Sequence, residues 1–378
     1  MLIQLQMNFF SYPHILTRWA YAGMLFLLPF IACQSGEIPI TRFEDSPIID
    51  SLLAAAPHFV VSTDTEPERW VAKTRIGLPN DSLILGQPAH MMAIGDSIYI
   101  SQYPPSHIFS VGADGYLSRQ IGRPGEGPGE FNFISGLQYD GSRVFVKEME
   151  RVQVFTEKFE YLDSFFSLDV EHGRFSVSPD YMFLQCPWDT PQEYDWLVCA
   201  RSTLPPYDWI PSIKLLPGLD LPNQMGENSN IVTVTPRGDL TAVAYWGLPY
   251  IFVYDERFRH LRTIRFEGED VRNFSPTGFP DGFPAQGDAY TQGFFLTTKF
   301  INSRHLIVVV ASLSQGSYFL FDLSGDDFEF AKRIALRPMS DTEEDGDIPG
   351  MDFLLHGEHL YVSSPFEEYV YGYEFDLE

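Results

Sequence analysis

Only three cysteines occur in this 378-residue chain, Cys33, Cys186 and Cys199, too few for a disulfide-dense scaffold. Basic residues are scarce as well: 25 Lys plus Arg stand against 51 Asp plus Glu, a formal charge of −26. Such a field repels a nucleic-acid duplex and an anionic membrane surface, so no nucleic-acid partner is expected. The longest apolar run near the N-terminus, Trp19–Ala32, is too short to span a bilayer comfortably and has the length of a secretory h-region. From Trp70 onward a 3.6-residue hydrophobic period is almost wholly missing, which argues against a helical body. Also missing are a Gly-x-Ser-x-Gly elbow, a His-Glu-x-x-His helix and a repeated Trp-Asp signature. What the chain does have is aromatic content, 15%, within 44% hydrophobic residues, ample for a sizeable core.

The run Trp19–Ala32 ends in Phe30-Ile31-Ala32-Cys33, after which polarity returns. This resembles the bacterial lipobox, with Phe30 where Leu is usual, and implies lipidation of Cys33 after removal of residues 1–32. A plain cleaved signal and a membrane anchor are the alternatives. Residues 33–68, rich in Asp, Glu, Pro, Ser and Thr, read as a tether, with Ser51–Ala56 as one helical turn. Cys186 and Cys199, an even pair in an exported chain, are expected to form a disulfide between adjacent antiparallel strands, two buried thiols being the alternative.

The rest of the chain, 69–378, consists of short β-rich runs separated by Gly, Asp, Asn and Pro. The runs recur in sets of four. Second strands follow tight turns, as Gly95-Asp96-Ser97 precedes Ile98–Ile100 and Asp140-Gly141-Ser142 precedes Val144–Val146. Several are apolar at consecutive positions, as sheets covered on both faces require. Six sets are visible, and the last lacks an outer strand because the chain stops soon after Tyr373. The orphan Trp70–Ile76 fits that vacancy, since Ile76-Gly77-Leu78-Pro79 echoes Ile121-Gly122-Arg123-Pro124 at the end of another outer strand. The expectation is an all-β, six-bladed β-propeller of four-stranded blades, closed by the N-terminal strand joining the C-terminal blade, which leaves no open sheet edge between the chain ends.

The segment Ile121-Gly122-Arg123-Pro124-Gly125-Glu126-Gly127-Pro128-Gly129-Glu130-Phe131 resembles the loop of the NHL-like six-bladed β-propeller lipoproteins of Gram-negative bacteria. That largely uncharacterised family implies fold, export and a lipid anchor in the periplasm or outer membrane, and no catalytic residue. A phosphate-binding reading fails here, because Pro128 lacks a donor, Glu126 and Glu130 repel anions, and a strand follows. The glycines instead suit a tight crossing between blades, with Arg123 braced on Glu126 or Glu130.

Two functions follow as expectations. The first is a binding or scaffold module for a protein, peptide or glycan, without cofactor, using the face that carries the connections from outer to inner strands. Those connections include Arg123–Phe131, Leu216–Ser229, Asn273–Tyr290 and Arg337–Pro349, and the last three are long. Arg123, Glu126, Glu130, Phe279, Phe283 and Asp288 are its candidate residues. The alternative is a propeller hydrolase or lyase of the lactonase or amidating-lyase kind. It would hold Ca²⁺ or Zn²⁺ at the channel through His90, Asn230 and Asp352, the candidate ligands at inner-strand starts.

Overall fold

The computed structural model describes residues 47–80, 82–103, 105–167, 175–184, 199–210, 230–245, 248–273, 294–311, 316–324, 328–339, 348, 350–364 and 366–376. A helix, α1 (Pro47–Ala55), and three short strands, β1 (His58–Ser62), β2 (Glu68–Val71) and β3 (Thr74–Ile76), come first. Blade 1 then contains β4 (Pro88–Ile94), β5 (Ser97–Gln102), β6 (Ile108–Val111) and β7 (Leu117–Ile121). Blade 2 contains β8 (Gly136–Tyr139), β9 (Arg143–Lys147), β10 (Arg151–Thr156) and β11 (Tyr161–Phe166). In blade 3 these are β12 (Ser176–Val177), β13 (Tyr181–Leu184), β14 (Cys199–Ser202) and β15 (Trp209–Ile210). Blade 4 has β16 (Asn230–Val234), β17 (Leu240–Tyr245), β18 (Tyr250–Asp255) and β19 (His260–Glu267). Blade 5 has β20 (Phe295–Phe300), β21 (His305–Ala311), β22 (Gly316–Asp322) and β23 (Glu329–Arg337). Blade 6 has β24 (Asp352–His356), β25 (His359–Ser363) and β26 (Val370–Glu374), and borrows β3 as its outer strand. The result is a six-bladed β-propeller, closed as expected by antiparallel pairing of Val370–Gly372 with Ile76–Thr74.

Each strand alternates its side chains between two neighbouring blades, so both sets must be apolar. Leu306, Val308 and Val310 of β21 pack toward blade 4, and Ile307 and Val309 of the same strand toward blade 6. All six residues of β18 are buried for the same reason. The core is accordingly six apolar clusters, one at each seam between adjacent blades, and the seam between blades 6 and 1 joins Ile76 and Val370 to Met91 and Ile100.

The N-terminal stretch differs from its reading as a tether and one outer strand. Its part from Pro47 is folded, and the expected strand Trp70–Ile76 is broken at Ala72-Lys73. β1 adds in parallel to the outer strand of blade 4, β2 adds in parallel to that of blade 5, and β3 completes blade 6. The physical reason is that Val61, the pair Trp70 and Ala72, and Ile76 are buried in three different seam clusters. Lys332 Nζ lies 3.0 Å from Glu68 and over the Trp70 ring, and Arg333 donates to the Thr65 carbonyl at 2.9 Å. The stretch is a strap across three consecutive blades.

In blade 3 Leu184 and Cys199 are register partners on adjacent antiparallel strands, and residues 185–198 lie outside the described residues. Cys186 lies outside the described residues, and no disulfide is seen among those described.

Candidate functional site

The innermost strands, with the residues just before them, enclose a cavity of about 160 Å³, to which all six blades contribute. One register position repeats around it: His90 in blade 1, Ser176 in blade 3, Thr233 in blade 4, Lys299 in blade 5 and Asp352 in blade 6. Three of these side chains stitch the seams by accepting from backbone N–H groups. Val234 N donates to Ser176 Oγ at 3.0 Å, Phe300 N to Thr233 Oγ1 at 3.0 Å, and Met91 N to Asp352 Oδ2 at 2.7 Å. In each, the donor follows the repeated position in the next blade. Blade 5 departs from the pattern, because Lys299 Nζ donates to Asp352 Oδ1 at 2.5 Å. Lys147, almost wholly buried in β9, donates to Ser135 Oγ at 3.3 Å.

His90 Nε2 is enclosed and has no hydrogen-bond partner. Burial lowers its pKa to about 4, with Asp352 opposing the shift and Lys299 and Lys147 reinforcing it. The ring is therefore neutral at pH 7. Since the unfolded histidine titrates near 6.5 and the folded one near 4, the unfolded state binds more protons between those values. Stability should be fully retained above pH 6.5 and fall as pH drops toward 4, by roughly 3 kcal/mol from this group. His90→Asn should flatten that limb. Urea unfolding of both proteins at pH 7 and pH 4 measures it, and identical pH dependence would refute the assignment. Tyr103, whose hydroxyl donates to Met351 Sδ at 3.5 Å, stacks on Phe133 with ring centroids 5.4 Å apart, and burial followed by the charge of Asp352 raises its hydroxyl pKa.

Of the expected metal ligands, His90 and Asp352 line the cavity, whereas Asn230 is not among its lining residues. No group of three His, Cys, Asp or Glu side chains suited to a metal occurs among the described residues, and Lys299 occupies one oxygen of Asp352. The reading of residues at strand starts missed Lys299, Lys147 and Thr298. A lysine inside a strand expected to be covered on both faces was the available signal, because a buried ammonium needs a partner.

The glycine-rich loop is a self-contained brace. Arg123 Nε donates to Glu130 Oε1 at 2.7 Å, selecting Glu130 over Glu126, and Gly127 N donates to Glu130 Oε2 at 2.9 Å. These bonds, the backbone one first, hold the Glu130 carboxyl below its ordinary pKa. Gly122 has φ +76°, and a Cβ there would sit 2.3 Å from the buried Phe131 ring. Gly125 has φ +152°, and a Cβ would meet Glu130 Oε2 at 2.2 Å. From blade 2, Gln153 Nε2 donates to the Glu130 carbonyl at 2.8 Å and Arg151 Nη2 to the same oxygen at 2.9 Å. Glu126 accepts from Asn132 Nδ2 at 3.5 Å. Phe279, Phe283 and Asp288 lie outside the described residues, as do Cys33, all of 216–229 and most of the other two long connections.

Topology puts the ends of the outer strands, the starts of the inner strands and the described turns from second to third strands on one face of the ring. Large apolar side chains are exposed there at Ile84, Met149, Phe166, Leu296, Met339 and Phe366, the last 79% accessible.

No family model matches the chain, and no curated protein matches it. Among solved structures it is similar to a protein of Bacteroides fragilis described as exported, at 12% identity over 85% of this chain and 99% of that one, with TM-score 0.56. A protein of unknown function from Bacteroides thetaiotaomicron is 10% identical over 81% and 74% of the two chains, TM-score 0.48. A member of the duf4221 family from Bacteroides vulgatus is 12% identical over 82% and 98%, TM-score 0.47. At such identity the first likeness is one of fold, that of a six-bladed propeller. No helix among the described residues is long and apolar enough to cross a membrane.

Proposed function

We propose that this propeller is an exported binding module whose inner-strand-start face receives an extended protein or peptide segment. One observation carries the reading. Of the eleven exposed large hydrophobic side chains among the described residues, the six just named lie on segments of that face, and Val60, Tyr116, Tyr161, Leu162 and Leu204 account for the rest. Aliphatic and thioether groups make up most of the six, which suits adaptable packing against side chains better than the aromatic platform a glycan needs. Export by a lipoprotein route, with Cys33 as the lipidated residue and Cys186–Cys199 oxidised, belongs to the same reading; the apolar run before Cys33 and the exported description of the similar Bacteroides fragilis protein support it. The metal-enzyme alternative has less support, since His90 and Asp352 lack a third ligand among the described residues.

Photo-crosslinking residues placed at Phe366 and Met149, with Leu204 and Tyr116 on the opposite face as controls, test the reading in cells. Discrete adducts are expected from the first pair alone. Adducts of equal yield from both faces, or from neither, would overturn it.

A further inference from the structure

We propose that the segment received by this face is cationic, carrying basic as well as apolar side chains, and that it lies along the arc of blades 6, 1 and 2. This rests on the reading of the face given above and names the chemistry of what the face takes.

Apolar exposure sets the arc. Phe366 in blade 6, Ile84 before the inner strand of blade 1 and Met149 in blade 2 are 79%, 66% and 46% accessible. The three blades are consecutive. Ile76 and Val370 meet Met91 and Ile100 at one seam, and Ile108 and Ile121 meet Leu137 and Val144 at the next. Blades 3 and 4 add no exposed large apolar side chain to this face among the described residues. Within the arc, Tyr103 and Phe133 form their half-buried stack, and aromatic rings favour a cation over an anion.

Charge sets the occupant. The basic side chains of the arc are already spent. Arg123 pairs with Glu130, Arg151 pairs with Glu148 and also donates to the Glu130 carbonyl at 2.9 Å, and Arg75 lies over the Tyr369 ring. Carboxylates are left over. Glu150, next to Met149, and Glu368, two residues after Phe366, are exposed and take part in no ion pair among the described residues. Glu126 meets the Asn132 amide at 3.5 Å and Glu367 the Tyr371 hydroxyl at 3.2 Å, neither a cation. Each large apolar side chain at the ends of the arc therefore stands beside a carboxylate without a counter-ion.

An ammonium or guanidinium brought to these positions gains attraction that nothing else in the arc supplies. An acidic segment is repelled by them and by a chain of net charge −26. A second copy of this chain brings the same surplus and is repelled likewise.

The test uses the whole purified protein and three short labelled peptides in which leucine alternates with lysine, glutamine or glutamate. Fluorescence polarisation should show saturable binding of the lysine peptide, weakened by added salt, and none of the glutamate peptide. Glu150→Lys combined with Glu368→Lys should weaken the lysine peptide about tenfold or more, because two attractions become repulsions. Asp96→Lys combined with Glu160→Lys makes the same change of net charge on exposed turns of the opposite face. That pair should leave binding within about twofold of the parent, since screening confines the effect of distant charges. Phe366→Ser should weaken the lysine peptide too. Equal weakening by the two charge-reversed pairs, undiminished binding in the first pair, equal binding of all three peptides, or no binding of any would each overturn the proposal. Equal binding of the three that Phe366→Ser abolishes would leave the face standing as a binding surface without its preference for cations, and crosslinking from Phe366 and Met149 decides the face itself.

Discussion

A chain beginning at Leu78 is expected to lose cooperative folding, whereas one beginning at Pro47 should unfold in a single sharp transition. The truncation removes β3, the outer strand of blade 6, together with the parallel additions on blades 4 and 5. It strips away the buried side chains of Val61, Trp70 and Ile76. At about 1.5–3 kcal/mol for each large apolar side chain, their loss approaches the whole net stability of a typical domain, roughly 5–15 kcal/mol. The exposed edge of β26 adds a hazard of self-association. A chain beginning at Glu66 separates the contributions: it lacks α1 and β1 but keeps closure, so it should melt between the other two. Calorimetry on the three proteins is the measurement. Equal melting temperatures for the chains starting at 47 and 78 would mean that the strap is not part of the cooperative unit.

The second large effect is expected at Asp352. Its carboxylate takes Met91 N across the seam between the last and first blades and pairs with Lys299 from blade 5, so one side chain serves three blades. Asp352→Ala would leave an ammonium that is 19% accessible without its partner and a buried N–H without an acceptor. A loss of about 3 kcal/mol is expected, the lower end for breaking a buried pair, because solvent reaches Lys299 in part. Asp352→Asn retains an acceptor for Met91 and should lose less. Adding Lys299→Met to Asp352→Asn should recover part of the remainder, because the uncompensated charge goes with it. Denaturant midpoints of the parent, Asp352→Asn, Lys299→Met and the double variant give the coupling. Additive losses in the double variant would show that the two groups do not depend on one another.

The repeat of four strands was legible because its causes are local. Turns such as Gly95-Asp96 and Asp140-Gly141 punctuate the chain, and strands covered on both faces cannot afford polar interruptions, as the unbroken run Leu306–Val310 shows. Closure was legible too, since a missing outer strand at one end and a spare strand at the other are complementary. The self-bracing of Arg123 could be anticipated from spacing, but not the choice of Glu130, which follows from Gly127 N and Arg123 converging on one carboxylate.

The strap was not legible. Residues 58–71 are polar and punctuated because these rim strands bury only one residue in four or five, so they read as tether. What makes them strands is the edge of β19 and β23, which lies some 200 residues or more further along the chain. The cavity follows the same logic. His90 and Asp352 could be named from their places at strand starts, but the pairing of Asp352 with Lys299 and the unpartnered Thr298 depend on neighbouring blades. By itself the sequence determined the blade count, the closing strand and the bracing loop, because turn chemistry and strand period act within a few residues. Only the tertiary structure decided where the N-terminal strands dock and which polar groups meet on the axis, because both are set by backbone edges and side chains brought together when the ring closes.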